Sequence, residues 1–426
     1  MILRNSHQAC RSTNEGRRLL STLTSPRIPN KRLDAPRLST KPRAGPGIES
    51  YDVAVVGVGG MGSAVCHHLT KAGCKVVGIE NFDIAHGHGS SHGHTRLIRS
   101  AYQEDVEYVP LVRRAYQLWR DLEQEMEEEL MILNGGLDVD GVFEGALLSA
   151  QTHGLEHEIL TGKDVNLEYP GFSFPEDIPI LFQPEGGFLL SERCIQAHCK
   201  AAKINGAELR IGERVIGWNT EGSGVEITTK KSRVFAQYLV ITAGPWISQC
   251  VPEFEAILEV ERQVVGWYGS KHPELFDFER FPIFASKDST GMWYGVPNFE
   301  GRGLKLGKLN HLKEVVKPDS IDREVSEQDI TCLREYLDNN IPEAYKTPNE
   351  TSVCMFTNAP DENFIIDWHP RFPQVILCSA CSGHGFKFSS AIGEMISNMV
   401  TNEQKQSTNM FKIDRESLEG KLVFPC

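Results

Sequence analysis

The sequence predicts an α/β fold: a Rossmann-type dinucleotide-binding domain joined to a second domain built on a mixed β-sheet with helices. Three observations carry this. A short apolar run at 53–56 leads into Gly57-Val58-Gly59-Gly60-Met61-Gly62, then a helical pattern, then a second apolar run at 76–79. Further β-like runs recur at 225–228, 238–241 and 375–377. Between them, residues 251–350 mix strand patterns with a helical stretch at 329–337, unlike a continued parallel sheet.

The elements follow in order. Val53-Ala54-Val55-Val56 suits a strand buried on both faces. The helix after the glycines carries Ala64, Leu69 and Ala72, and Gly73 is placed to cap its C-terminus. Val76-Val77-Gly78-Ile79 ends at Glu80. A long helix is expected over 107–130, with Leu111, Ala115, Leu118 and Leu122 on its apolar face and its acidic end in solvent. The run at 238–241 enters Thr242-Ala243-Gly244-Pro245-Trp246. A glycine-rich stretch at 381–387 precedes a last helix through Ile392, Met395, Ile396 and Met399. No internal repeat is visible.

Composition narrows the function. With 426 residues, 40% of them hydrophobic, the chain can build more than one core. A formal net charge of −13 argues against nucleic acid as a partner, and no apolar run is long enough to span a membrane. Eleven scattered cysteines, without a paired CxxC, point to a reducing compartment. Charge is uneven. Residues 1–45 hold ten Lys/Arg and two acids, against 34 and 55 in the remainder. Residues 1–48 therefore read as an organelle transit peptide (mitochondrion or plastid) or a disordered tail. The C-terminal Val423-Phe424-Pro425-Cys426 is not a peroxisomal signal.

Five constellations carry chemistry. In the first loop, Gly57 allows the tight turn, Gly59 lets the backbone approach a pyrophosphate, and Gly62 lets helix and strand pack closely. Glu80, 18 residues beyond Gly62, is placed for ribose hydroxyls. This motif does not separate FAD from NAD. The second is 90–99. His86, His88, His92 and His94 raise a metal reading, but no carboxylate or thiolate is interleaved, so no metal is expected. Arg96 and Arg99 share a face if helical and not if extended, and either residue type can grip a carboxylate in a fork. They can equally be surface charges. Third, Lys305 lies in Gly303-Leu304-Lys305-Leu306-Gly307, a strand pattern in which it points away from both leucines. By itself it reads as exposed; if buried, its ammonium can stabilise a developing anion. Fourth, Gly383 and Gly385 stand before a helix, at an anion-friendly N-terminus suited to a reduced flavin. Fifth, Cys354 reads by itself as a small buried residue.

Together these segments, in order from about Tyr51 to about Thr401, resemble the monomeric sarcosine oxidase family, which includes N-methyltryptophan oxidase and pipecolate oxidase. The most specific stretches are 91–99, 303–307, 354–357, 361–367 and 382–390. The resemblance implies FAD, attached through a thioether from Cys354 to the flavin 8α-methyl group. It implies that Lys305 activates dioxygen, that Arg99 and Lys387 bind the substrate carboxylate, and that Arg96 and His92 lie close to the flavin. Thr357 and Tyr294 match positions near cofactor and substrate. Phe356 stands where sarcosine oxidases usually carry tyrosine, and Leu309 where they carry a pocket histidine, with His311 close by. These departures make the pocket less polar and put sarcosine itself in doubt.

The implied reaction is oxidation of a small secondary amino acid, N-methyl or cyclic, such as sarcosine or pipecolate. The imine hydrolyses, and dioxygen becomes hydrogen peroxide. The implied architecture interleaves an FAD-binding domain (51–137, 187–250 and 357–412) with a substrate domain (138–186 and 251–356), in a chain working as a monomer. Three rivals are a flavin dehydrogenase serving a protein or quinone acceptor, an NAD-dependent dehydrogenase, and a flavin-binding protein without turnover.

Overall fold

The computed structural model describes residues 48–401, 408–422 and 424. The segment that carries the targeting expectation lies outside the described residues, apart from Ile48. Among the described residues, no helix is long and apolar enough to cross a membrane.

The first sheet is built on Glu49–Val56, which pairs in parallel with Arg233–Ile241 on one side and Val76–Ile79 on the other. Glu208–Arg210 and Phe372–Ser379 extend the parallel core outward. Val53, Ala54, Val55, Val76 and Val77 are completely buried, as strands covered on both faces require. Helices Gly60–Lys71, Ser191–Ile204 and Ser389–Thr401 pack together on one face. The first of them stops as predicted: Ala72 caps it and Gly73 follows at φ 89°.

Gly57 and Gly62 explain why the turn needs glycine. Gly57 has φ +89°, and a Cβ there would lie 2.7 Å from the Thr242 carbonyl oxygen. A Cβ on Gly62 would lie 1.8 Å from the Gly57 carbonyl oxygen, so helix and strand meet only through bare backbone.

Residues 259–358 do not continue this sheet. Glu259–Tyr268 sits between Leu304–Lys308 and Glu350–Asn358 in a second sheet of eight strands, antiparallel except where Ile283–Asp288 meets Gly136–Asp140. Helix Glu327–Asn340 packs on it through Leu333, Tyr336 and Leu337. It begins earlier than its apolar pattern suggests, because Ser326 and Asp329 form a capping box.

A small third sheet decides the arginine question. Thr95–Ile98 is a strand, paired with Gly187–Leu190. Arg96 and Arg99 therefore do not share a helical face; the glycines before them and the partner strand set an extended backbone. The long acidic helix spans Tyr108–Met126 and ends at Glu127 in the left-handed region, φ 54°.

Candidate active site

A cavity of about 870 Å³ is bordered by residues from all three sheets. Gly57, Gly59 and Glu80 are on its wall. A Cβ on Gly59 would meet no heavy atom within 4 Å, so its backbone faces open space. The two Glu80 carboxylate oxygens accept from the backbone N–H groups of Val58 at 2.8 Å and Phe82 at 3.0 Å. Burial opposes its charge, but the His86 ring and these donors hold the carboxyl below its ordinary range. Gly62 is not on the cavity wall; it acts through packing.

Arg96 and His92 form the next part of the wall. Arg96 donates to the carbonyls of Thr95 at 2.8 Å, Ser90 at 2.8 Å and His92 at 2.6 Å, which fixes its guanidinium against the loop. His92 Nδ1 lies 3.2 Å from Ser352 Oγ. Burial first, then the Arg96 cation, pushes its imidazole down to about 3, so it is neutral. Its Nε2 and the Ser90 hydroxyl are buried without a protein partner. Both residues line the cavity, where a bound ligand's polar groups would be the nearest partners left for these atoms.

Lys305 overturns the expectation of exposure: it is buried. Its strand is covered on both sides, and its Nζ donates to the carbonyls of Gly93 at 2.7 Å and Thr95 at 2.8 Å. Burial, reinforced by Arg96, lowers its pKa well below the usual lysine range. Tyr294, on the adjacent strand, lies across Gly307, where a Cβ would be 2.4 Å from its ring. Its phenol pKa is raised by burial.

Cys354 and Phe356 alternate onto the cavity from Glu350–Asn358. Thr357, one residue on, is buried off the cavity, and its N–H donates to Cys381 Sγ at 3.3 Å. Its Oγ1 is buried without a protein partner. Burial raises the Cys354 thiol pKa, while Arg96 and Lys305 pull it down. The cation expected beside this thiol is therefore Arg96, yet burial outweighs it. A Cβ on Gly383 would lie 2.6 Å from Leu309 Cδ1 and 2.9 Å from Phe356 Cε2, so these two side chains close on that glycine. His311 does not line the cavity: its Nε2 is 3.0 Å from buried Asp329, which also binds Arg262.

Gly383, at φ +77°, and Gly385 bring the last loop onto the wall. A Cβ on Gly385 would lie 1.9 Å from the Ala380 carbonyl oxygen. Lys387 follows in the short turn Phe386–Phe388, buried, with Nζ 2.7 Å from the His384 carbonyl and 5.1 Å from the Tyr102 ring centre. Burial pushes its ammonium down to about 7, with Glu104 opposing. Arg99 is buried and paired with Asp138, with Glu104 3.7 Å away.

Sequence reasoning missed Glu104, Asp138 and Gln183. Glu104 shares the cavity with Arg99 and Lys387, and Gln183 donates to the same Asp138 carboxylate. Asp138 lies 39 residues from Arg99, so only the folded sheet reveals the pairing. Its signal was an acid between the apolar neighbours Leu137 and Val139. Of the four histidines weighed as metal ligands, His86 and His88 pack together on Phe82, with Glu80 3.4 Å from His86, while His92 meets Ser352 and His94 meets Glu350. Among the described residues, no group of three or more metal-ligating side chains occurs.

A bare glycine loop, a carboxylate on the wall and two orphaned polar atoms fit an adenine dinucleotide. Comparison with known proteins agrees. Residues 52–399 match the family described as FAD dependent oxidoreductase. Monomeric sarcosine oxidase of Bacillus sp. (strain NS-129) is 35% identical over 384 residues, covering 88% of this chain and 99% of that protein. N-methyl-L-tryptophan oxidase of Escherichia coli O157:H7 is 31% identical, covering 83% and 96%. In solved structures, the fold matches NikD, an amino acid oxidase of nikkomycin biosynthesis (TM-score 0.74, 22% identity, 84% of this chain and 96% of that one). It also matches L-proline dehydrogenase from P. horikoshii (TM-score 0.72, 20% identity, 85% and 96%). The dinucleotide loop, the cavity and this likeness over nearly the full length of its relatives make the chain a member of the FAD-dependent oxidoreductase family, related to the monomeric sarcosine oxidases.

Proposed function

We propose that this flavoenzyme oxidises the C–N bond of a small secondary amino acid, N-methyl or cyclic, and uses dioxygen as its acceptor. One observation carries the reading: a single cavity holds buried Arg99 and Lys387 together with buried Lys305, Cys354 and the dinucleotide loop. Arg99 is already met by Asp138, with Glu104 nearby, whereas Lys387 Nζ donates to the His384 carbonyl and, among the described residues, makes no close ion pair. A substrate carboxylate would complete the site by meeting Lys387 beside the Arg99 fork.

Gly57, Gly59 and Glu80 would hold the adenine dinucleotide half of FAD, and Cys354 would anchor its ring system through a thioether. When bound, FAD supplies the two-electron acceptor. Lys387 and Arg99 fix the substrate's carboxylate, which orients the reacting C–H. Leu309, Phe356 and Met292 provide an apolar wall and exclude water. This wall favours a substrate with more hydrocarbon than sarcosine. Neutral His92 holds no charge against the bound amine. Lys305, held by the Gly93 and Thr95 carbonyls, would offer an N–H donor where dioxygen is reduced, and a positive charge when protonated. The imine leaves and hydrolyses in water, and the chain works as a monomer.

The test is anaerobic bleaching of the flavin against sarcosine, pipecolate, proline and N-methyl amino acids, followed by admission of air. Bleaching by at least one of these, with pipecolate faster than sarcosine, and stoichiometric peroxide are expected. No bleaching by any would sink the substrate class. Bleaching without peroxide would favour a dehydrogenase serving another acceptor.

A further inference from the structure

One row of residues runs across the second sheet on its cavity side. The register places Asp138, Ala285, Tyr294, Gly307, Val265 and Ser352 side by side on consecutive strands, so their side chains share a face. Ala285, Tyr294, Val265 and Ser352 all border the cavity, which makes this row part of its floor. The floor is uneven. The Tyr294 ring lies over Gly307, where a Cβ would be 2.4 Å from it. It covers the strand on that side and leaves the other side, over the Ala285 methyl, uncovered.

This notch lies one strand from Asp138, the carboxylate that holds Arg99, a spacing of about 4.8 Å. Met292 stands diagonal to Ala285 on the neighbouring strand, and its sulfur accepts from Gln103 Nε2 at 3.3 Å. The opposite end is closed, because Ile283 and Val296 pack with Phe188 and Leu190. The strand that carries Ala285 cannot rise to fill the gap. On its other face Phe284 stacks on Tyr336, with ring centres 5.7 Å apart, and both strand edges are paired. The notch is therefore a fixed space, lined by hydrocarbon and an aromatic ring, beside the arginine set to receive a carboxylate.

We infer that the Ala285 notch holds a substituent on the substrate's carboxylate-bearing carbon, and that the small side chain at 285 sets the preference for a cyclic amino acid over sarcosine. This rests on the reading of Arg99 as part of the carboxylate grip. Sarcosine carries only hydrogens on that carbon besides its carboxylate and nitrogen, so it leaves the notch empty. Pipecolate differs by three methylenes that run from the same carbon round to the nitrogen, and these fill it. Each methylene moved from water to an apolar site is worth about fourfold in affinity. A larger residue at 285 would occupy the same space and remove that gain.

The experiment titrates the FAD-loaded protein, by calorimetry, with two carboxylates that lack the amine: acetate and cyclohexanecarboxylate. Wild type should bind the ring carboxylate roughly tenfold or more tightly than acetate. Ala285→Val and Ala285→Met should shrink that ratio stepwise towards one, and Ala285→Gly should keep it. Ala285→Val keeps the test open if the larger side chain fails to fold. With substrates, the ratio of kcat/KM for pipecolate to that for sarcosine should fall by about tenfold or more in Ala285→Met. Acetate that binds while the ring adds nothing overturns the notch and leaves the carboxylate grip standing. So does a ring preference that survives both larger residues in folded, flavin-loaded protein. If neither carboxylate binds wild type, the grip itself is overturned and the notch falls with it.

Discussion

The Arg99 guanidinium is paired, inside the protein, with the carboxylate of Asp138, a side chain from the second sheet. Burial works against the Arg99 charge, and Asp138 with Glu104 restores it. Gln183 completes the arrangement by donating to Asp138 and by accepting from the N–H groups of Ser100 and Ala101 at 3.1 Å and 2.8 Å. The arginine is thus set by groups remote in sequence before any substrate arrives. Asp138→Ala leaves a buried cation short of a partner and should cost about 3–5 kcal/mol. Urea unfolding of the FAD-loaded protein measures this; a loss below about 1 kcal/mol would show that Arg99 finds another partner or water.

Lys387 predicts a pH dependence. Its ammonium, pushed down to about 7, is charged below that pH and neutral above it. Carboxylate capture needs the charged form, so kcat/KM should fall as pH rises through about 7. Lys387→Met should remove this limb and raise KM by roughly 10- to 100-fold, the worth of a charge-assisted hydrogen bond. A pH profile of kcat/KM checks both; a Met variant that keeps the limb would assign it to another group.

How far the sequence could be read depends on the range of each interaction. The glycine loop and Glu80 were legible because their meaning is local: a turn, a bare backbone and a following acid within one strand–helix–strand unit. Lys305 was not, since alternation tells which way it points but not that another layer covers that side. Arg96 and Arg99 were ambiguous for the same reason, as their extended backbone is set by Gly187–Leu190, far along the chain. Family likeness does not tell that Cys354 and Phe356 line the cavity while Thr357 turns away from it; the strand period in the folded sheet does.

Gly62 offers a test of the dinucleotide loop. Any Cβ there meets the Gly57 carbonyl at 1.8 Å, a contact only backbone movement can relieve. Gly62→Ala should lose most bound FAD, read as the ratio of flavin to protein absorbance. Gly222→Ala is the control for an ordinary glycine substitution: a Cβ there meets nothing within 4 Å, although its φ is +59°. It should keep its flavin and cost only about 1 kcal/mol.

Away from the cavity, His67, His68 and His198 cluster between helices, with His67 Nδ1 3.0 Å from His198 Nδ1. Burial lowers all three, His68 to about 3, with Glu125, 3.4 Å from His67 Nε2, opposing the shift of His67. Unfolded histidine takes up a proton near 6.5. The folded state's advantage is therefore complete above that pH and is lost as pH falls below it, by up to about 1.4 kcal/mol per unit for each group. Thermal melts should be flat from pH 7 to 8 and fall steeply from 6.5 to 5. His198→Phe should shallow that slope; an unchanged slope would place the acid sensitivity elsewhere.

The last prediction concerns the flavin linkage. A thiolate is the competent nucleophile, yet burial raises the Cys354 thiol pKa, and only Arg96 and Lys305, with Arg323 farther down in effect, pull the other way. Attachment should therefore be slow and should depend on these cations. Wild-type protein precipitated in acid should remain yellow, with its mass increased by one FAD, and Cys354→Ala should release all its flavin. Arg323, which donates to the carbonyls of Gly87, Val353 and His88, offers a milder probe. Arg323→Met should slow the appearance of acid-stable flavin when apoprotein is mixed with FAD, while leaving the final extent unchanged. Complete release of flavin from fully loaded wild type on acid treatment would mean that Cys354 does not carry it. The cavity would then hold FAD through Gly57, Gly59, Glu80 and the loop at Gly383 alone, and the oxidase reading would stand without a covalent bond.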